Sequence, residues 1–128
     1  MSDIQTLHKI VEKDPRYPVE AYLFVLEALF CTRKKFKKEK HVSGQELLEG
    51  IKDLALNRYG STAKMVFNHW GIKKTVDLGD IVFNMVNAKL LSKTEEDSLD
   101  DFKDVYNFED VFIKDYQFEI KVLKNGNE

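Results

Sequence analysis

The sequence predicts an all-α protein, built as one compact domain of five to seven helices around a three-helix, helix-turn-helix-like centre. Apolar residues recur at three- and four-residue spacing through most of the chain, as on the buried face of a helix. Prolines, glycines and capping residues fall between these periodic segments. A chain of 128 residues is one domain by size and needs no disulfide or metal to fold. We expect the domain to span residues 1–116 and residues 117–128 to form an extended or disordered tail.

The first two helices are predicted from Asp3 to Lys13 and from about Val19 to Phe36. Pro15 and Pro18 separate them, because proline disfavours helix in the residue before it and suits the first turn of the next helix. The second helix is apolar around most of its circumference, which is typical of a central, buried helix. We therefore expect its cysteine, Cys31, to be a core residue.

Three further helices are predicted in the middle of the chain. The third begins at the capping box Ser43-Gly44-Gln45-Glu46 and ends at Gly60. A short fourth helix lies between Ser61 and Gly71, and a fifth begins at Thr75 or Asp77. Together they resemble a helix-turn-helix core in layout, so DNA binding is one alternative function. Acids at the start of the fifth helix fit that alternative poorly, since phosphates would lie there.

The last third of the chain gives a weaker pattern. A capping-box-like start at Thr94 to Asp97 leads into a predicted helix that reaches Tyr106, and residues 108–116 suit a last helix. Residues 118–122 alternate between apolar and charged side chains, which is a strand signal. Because one strand needs a partner, we expect these residues to be extended unless they pair with another chain.

Composition and motif searches exclude several classes of protein. The net charge is −2 and there is a single cysteine, so we expect neither a general polyanion binder nor an intramolecular disulfide. The amino terminus lacks the features of a signal peptide, and no apolar run is long enough to cross a bilayer. Phosphate-loop, zinc and nucleophile-elbow motifs are absent. We expect a cytoplasmic protein that is not an enzyme and has no cofactor and no metal.

A basic run at residues 33–41 is the first candidate site. It holds six Lys or Arg and one Glu. Such a run can contact RNA phosphates, and Phe36 within it can stack on a base. The alternative is a solvated helix end that suits the helix dipole. An acidic stretch at residues 93–119 can also fold back on it, or hold a divalent ion. The candidate RNA- or ribosome-contacting residues are Arg33, Lys34, Lys35, Lys37, Lys38 and Lys40.

Late aromatic residues form the second candidate site. A frayed tail needs no large aromatic side chains, yet the end of this chain carries Phe112, Tyr116 and Phe118. We expect these three side chains to be exposed and to dock on another protein. This expectation, with the missing catalytic set, makes a non-enzymatic protein–protein interaction module the leading hypothesis. Truncation after Asp115 should then leave a folded domain without its partner. RNA or ribosome association is the first alternative.

A third set of residues predicts a structural latch. Arg16 lies in the proline-pinned turn and can pair with a carboxylate such as Glu109, while the hydroxyls of Tyr17 and Tyr106 can satisfy backbone groups. The same turn also carries the weakest alternative, an enzyme that uses Asp14, Arg16 and His69 in a cleft. A concave pocket at Arg16 or His69 would distinguish it.

Several of these segments occur together in one family. They are, in order, Asp14-Pro15-Arg16-Tyr17, Ala21-Tyr22, the segment His41 to Gly50, Tyr59-Gly60, Trp70-Gly71, Gly79-Asp80-Ile81-Val82-Phe83 and Val105-Tyr106-Asn107-Phe108-Glu109. In this pattern, from Asp14 to Phe112, the chain resembles a family of short, uncharacterised bacterial proteins of about this length. The resemblance implies a bacterial, cytoplasmic, free-standing domain and brings no catalytic residues with it.

Overall fold

The computed structural model describes residues 2–36, 42–91 and 98–114, and all regular structure within these ranges is helical. The predicted all-α class is therefore confirmed. A 3₁₀ turn at Gly60–Thr62, a second at Leu99–Phe102 and a π-helical turn at Asp110–Lys114 accompany the α-helices. The predicted strand and tail lie outside the described residues. The five α-helices are α1 (Asp3–Lys13), α2 (Val19–Phe36), α3 (Gly44–Tyr59), α4 (Ala63–His69) and α5 (Thr75–Asn87).

Local hydrogen bonds explain where the helices begin. The Ser43 hydroxyl accepts from the Glu46 amide at 3.1 Å, and the Glu46 carboxylate accepts from the Ser43 amide at 3.0 Å, which confirms the predicted capping box of α3. Gly60 ends α3 as predicted. Helix α4 begins later than predicted, because Gly60–Thr62 first forms a 3₁₀ turn and the Thr62 hydroxyl donates to the Tyr59 carbonyl.

Helix α2 lies at the centre of the fold and packs against α1, α3 and α5. One face is fully packed, whereas the opposite face is open to solvent, so the prediction that this helix is buried around most of its circumference is wrong. Cys31 is exposed at a surface pocket between α2 and α3, which corrects its prediction as a core residue. The packed face comprises Ala21, Tyr22, Phe24, Val25, Ala28, Leu29 and Thr32.

An aromatic cluster closes the core between α2, α4 and the carboxyl-terminal turn. Phe67 of α4 has its ring centroid 5.7 Å from that of Phe24, 5.3 Å from Phe108 and 5.4 Å from Phe112. Phe112 is completely buried, so its predicted role as an exposed docking residue is wrong. The π-helical turn directs its ring inward against Phe67, and it therefore stabilises the domain. Tyr116 and Phe118 lie outside the described residues.

The segment after residue 97 crosses α3 and α5 without forming the long helix predicted up to Tyr106. Ser98 and Asp101 cap only the short 3₁₀ turn, and Asp104 then adopts a positive φ of 49°. The turn packs closely because Gly79 has no side chain: a Cβ there would lie 2.7 Å from the Cβ of Phe102. The buried Thr75 hydroxyl donates to the Phe102 carbonyl at 2.6 Å and fastens the segment to α5.

Candidate functional site

A network of polar side chains joins the turn at residues 14–18 to α5. The Arg16 guanidinium donates to Asp14 through Nε at 2.9 Å and Nη2 at 2.7 Å, and to Asp80 through Nη1 at 3.1 Å. Its predicted pairing with Glu109 is wrong. Glu109 instead pairs with Lys64 of α4 at 3.1 Å, because the carboxyl-terminal turn packs on α4 and the Arg16 turn lies against α5.

Tyr17 is the buried centre of this network. Its hydroxyl lies 3.0 Å from a carboxylate oxygen of Asp77 and 3.0 Å from one of Asp80. Burial and these two carboxylates raise the pKa of Tyr17 above its ordinary value, so the hydroxyl stays protonated and donates. The other oxygen of Asp77 accepts from the backbone amides of Lys73 and Lys74. Asp77 therefore caps the start of α5 with one oxygen and binds Tyr17 with the other.

Tyr106 forms a separate link, away from Arg16. Its hydroxyl donates to the Leu48 carbonyl of α3 at 2.6 Å, which confirms the prediction that this hydroxyl satisfies a backbone group. Burial raises the pKa of Tyr106. The four residues predicted as one latch therefore belong to three separate contacts. Arg16 and Tyr17 share one network, whereas Tyr106 and Glu109 each bind elsewhere.

Asn84 completes the network on α5. Its Nδ2 donates to the Asp14 carboxylate at 3.0 Å and to the Tyr22 hydroxyl at 2.9 Å. The hydrogen bonds from Arg16, aided by that from Asn84, hold the pKa of Asp14 well below its usual range. The sequence analysis did not single out Asp77, Asp80 and Asn84 as partners of the turn. Their spacing of three and four residues, which places them on one face of α5, was the signal available.

An open pocket of about 480 Å³ lies beside this network, between the carboxyl-terminal ends of α1 and α5. Its volume is in the range of small-molecule sites. His69 is not part of it, being exposed at the end of α4. A latch and a pocket are therefore both present at Arg16. The enzyme alternative also requires His69, which does not line this pocket, so the three residues that it needs do not meet. The lining residues are Ile10, Lys13, Asp14, Arg16, Asn84, Asn87 and Ala88.

The basic run is described only in part. Lys35 contacts Asp53 of α3, with Nζ 2.7 Å from the carboxylate, and Lys34 lies with Nζ 4.9 Å from the centroid of the Phe30 ring. Arg33 is half-buried. Helix α3 therefore supplies a counter-charge to the run. Lys37, Lys38 and Lys40, and the side chain of Phe36, lie outside the described residues.

The helix-turn-helix alternative depends on what α5 presents to solvent. Asp77, Asp80 and Asn84 are engaged by Tyr17, Arg16 and Tyr22, so they face the fold. Helix α4 has its main contacts with α3 and the carboxyl-terminal turn rather than with α5. DNA binding stays a prediction that these contacts do not favour.

An apolar stripe runs along the open face of α2; we define it as Val19, Leu23, Leu26 and Phe30. Leu23 is 42% exposed and Phe30 is 59% exposed, whereas Val19 and Leu26 are half-buried. Their spacing of four, three and four residues places them on one side of the helix. The sequence analysis missed this stripe because it interpreted every apolar position of α2 as buried.

No family model, curated protein or solved structure matches the chain. The family resemblance noted from the sequence therefore stays a prediction. Within the ranges that the structure describes, no helix is long and apolar enough to span a membrane. The same ranges contain no group of three or more His, Cys, Asp or Glu arranged to hold a metal ion.

Proposed function

We propose that this protein is a non-enzymatic docking module that binds an amphipathic helix of a partner protein along the apolar stripe of α2. The proposal is based on the exposure of two large apolar side chains, Leu23 and the aromatic Phe30. Aromatic side chains that become buried on binding supply much of the energy of protein interfaces. Phe112 is not part of the docking surface, since it belongs to the core, whereas the predictions for Tyr116 and Phe118 stay predictions.

The stripe has the dimensions of a helix-binding surface. Eleven residue steps separate Val19 from Phe30, which corresponds to about 16 Å along the helix axis, or three turns. A partner helix with apolar residues at matching spacing would pack its side chains between these four. Met65 gives the contrast: it is 70% exposed on α4. A single exposed apolar residue of this kind is normal for a protein surface and indicates no partner.

Charges at the two ends of the stripe indicate the polarity of the partner. Glu20 is exposed near the amino-terminal end, and Lys34 is exposed near the carboxyl-terminal end. Neither side chain has an ion pair with another residue in the described ranges. A complementary helix would carry a basic residue opposite Glu20 and an acidic residue opposite Lys34, which would fix its direction.

The proposal includes a bacterial cytoplasmic location, as expected from the sequence. Cys31 is exposed and has no second cysteine in the chain to pair with. A reducing compartment keeps such a thiol from oxidising. RNA association through residues 33–41 is the alternative function for the same end of α2. The experiment below distinguishes RNA binding from protein docking.

A photo-crosslinking amino acid placed at position 30 of the full-length protein tests the proposal in cells of the source organism. We expect one protein partner to be captured from position 30, and from position 23, but not from the control position 65 on α4. The crosslinked peptide should be helical and amphipathic, and capture should persist after nuclease treatment. Equal capture from positions 30 and 65, capture of RNA alone, or capture of only a second copy of this chain would contradict the proposal.

Substitutions measure the contribution of the stripe once the crosslinked partner helix has been made as a peptide. Phe30→Ser should weaken binding of that peptide by about tenfold or more, as for a central aromatic residue of an interface. Met65→Ser serves as the matched control and should leave the affinity unchanged. Because both side chains are exposed, both variants should keep the thermal stability of the unaltered chain. Equal affinities of the two variants would remove the stripe from the interface.

A further inference from the structure

We infer that the pocket between α1 and α5 binds a small amino carboxylate, of the size of a free amino acid. The inference is independent of the proposed docking function, because it concerns Lys13, Arg16, Asn84 and Asn87 and not the apolar stripe. It depends on which hydrogen-bonding groups of the pocket remain unused after the internal network has formed.

Arg16 supplies the first unused donors. A guanidinium has five N–H groups in a planar fork. Nε, one N–H of Nη1 and one N–H of Nη2 are engaged by Asp14 and Asp80. The two remaining N–H groups have no acceptor among the residues that the structure describes, and the side chain is 56% exposed. The carboxylates hold the guanidinium in one position, with its Cζ 5.2 Å from the centroid of the Tyr17 ring, so these donors are pre-organised.

Lys13 supplies a second positive charge on the wall of the pocket. It lies in the last turn of α1 and is exposed. Its ammonium group has no ion pair within residues 2–36, 42–91 and 98–114. A carboxylate between Lys13 and Arg16 would therefore meet two cations, one of them with a planar fork suited to carboxylate oxygens.

Asn84 supplies an acceptor whose orientation is chemically defined. A carboxylate such as Asp14 accepts hydrogen bonds only, so the atom of Asn84 that faces it must be Nδ2. Nδ2 uses its second hydrogen on the Tyr22 hydroxyl. Oδ1 is thus left with no donor in the described ranges. Asn87 adds a second exposed amide, one turn further along α5.

The charge balance indicates that the ligand also carries an amino group. Both α1 and α5 end at this pocket, and the carboxyl-terminal end of a helix carries partial negative charge. Asp14 and Asp80 add two carboxylates beside Arg16. A polyanion would be repelled by these groups. An amino carboxylate suits both sides of the pocket. Its carboxylate would contact Lys13 and Arg16, and its ammonium would contact Asn84 Oδ1 and the negative helix ends.

The shape of the pocket limits the size of the ligand. Its volume of about 480 Å³ accommodates an amino acid with room for water. Ile10 and Ala88 give the lining an apolar portion, on which a short aliphatic side chain can rest. The pocket is too small for a folded domain and is separate from the open face of α2.

Titration of the isotope-labelled full-length protein with each of the common amino acids, followed by NMR, tests the inference. We expect at least one amino acid to shift the signals of Ile10, Ala88 and the Asn84 side-chain amide in a saturable way. Its methyl ester and its deaminated acid should each bind about tenfold more weakly, because each lacks one charge-assisted contact. Equal binding of the deaminated acid would reveal only an anion site and overturn the amino carboxylate. No saturable shift up to about 10 mM would overturn the pocket as a site.

A matched pair of variants locates the binding. Lys13→Gln removes the charge that faces the pocket and should weaken amino acid binding by about fivefold, as for one exposed ion pair. Lys9→Gln, on the same helix and outside the pocket lining, should leave binding unchanged. Both lysines are exposed, so both variants should fold. An equal effect of the two substitutions would show that only the general charge of α1 matters, which would overturn the site.

Discussion

Helix α2 meets its neighbours in two different ways. Its buried contact with α3 is apolar and has ion pairs only at the exposed edge, Glu27 with Arg58 and Lys35 with Asp53, whereas its contact with α5 is polar. Towards α3, Thr32 packs directly over Gly50, and Phe24 stacks on Tyr59 with ring centroids 5.9 Å apart. Towards α5, Tyr22 and the turn before α2 reach a set of carboxylates and an amide. Shape determines the first contact, and charge and hydrogen bonding determine the second.

Ligand binding in this fold is expected at the polar contact rather than at the apolar one. The buried apolar part of the contact with α3 depends on volume, which pH does not change. The polar contact positions Arg16 and Asn84 but leaves some of their hydrogen-bonding groups unused at the edge of a pocket. That contact offers free hydrogen-bonding groups to a ligand and should respond to acid through Asp14. At the α3 contact, acid acts on the exposed pair of Glu27 and Arg58, whose hydrogen bonds lower the pKa of Glu27.

The largest expected loss of stability comes from the aromatic cluster behind the α3 contact. Phe67→Ala should lower the free energy of unfolding by about 4 kcal/mol, because it removes a fully buried ring and leaves a cavity. Denaturation by urea, followed by circular dichroism, measures it. Met65→Ala, in the same helix but exposed, should cause a far smaller loss; a comparable loss would contradict the core assignment.

Gly50→Ala tests the close approach of α2 and α3. A Cβ at position 50 would collide with the Thr32 hydroxyl oxygen, so overpacking should cost about 2 kcal/mol despite the better helix propensity of alanine. Urea denaturation of Gly50→Ala, Thr32→Ala and the double variant measures the coupling. We expect Thr32→Ala to restore part of the loss, and strictly additive effects would refute a direct contact.

Tyr17→Phe tests the polar contact with α5. The variant removes the hydroxyl that donates to Asp77 and Asp80 and keeps the ring, so about 1.5 kcal/mol should be lost. Thermal and urea unfolding at neutral pH measure the change. Tyr59→Phe is the control, since its hydroxyl contacts the Arg58 guanidinium and not a carboxylate within the described residues. A loss no larger than that of the control would show that the network contributes little.

Acid should weaken the polar contact through Asp14. Its pKa is lower in the folded protein than its unfolded value of about 3.9, so the folded state binds fewer protons than the unfolded state. The stabilisation is therefore complete above that value and is lost as the pH falls below it. Asp14→Asn should be less stable than the unaltered chain near neutral pH, and the gap should narrow towards about pH 3. A gap that does not change with pH would exclude Asp14 as the cause.

The smallest effect is expected for the ion pair of Lys35 and Asp53, which lies on the surface beside the α3 contact. Both side chains are about half exposed, so solvent screens their attraction. Asp53→Asn should leave the midpoint of urea denaturation nearly unchanged. A marked loss would mean that charge also matters on the α3 side, and the comparison would have to be revised.

Much of the secondary structure could be predicted because its signals are local. The bounds of α1 and α2 agree with the prediction, and the capping box at Ser43 identified the start of α3. After the fifth helix the prediction was weaker: the segment up to Tyr106 turns back at Asp104 instead of continuing as a helix. That reversal depends on packing against Gly79, which no local pattern reveals.

The candidate site was predicted less well than the helices. Arg16 and Tyr17 share a polar network, but its partners differ from those predicted. Arg16 binds Asp14 and Asp80 instead of Glu109, and the Tyr17 hydroxyl contacts carboxylates of α5 instead of backbone groups. Tyr17 and its acceptors are about sixty positions apart in the sequence. Their pairing depends on how α5 packs against α2, which residue spacing does not predict. Tyr106 was assigned a backbone partner correctly, because a buried hydroxyl must find one.

The helical class and most helix boundaries follow from local sequence, since periodicity, caps and prolines act within a few residues. Which apolar and polar groups remain at the surface depends on how the helices pack together. Phe112 is buried, whereas Cys31 and Phe30 on the central helix are exposed. The reason is physical: a side chain is buried only if a neighbouring element covers it, and the placement of the elements results from the packing of the whole chain.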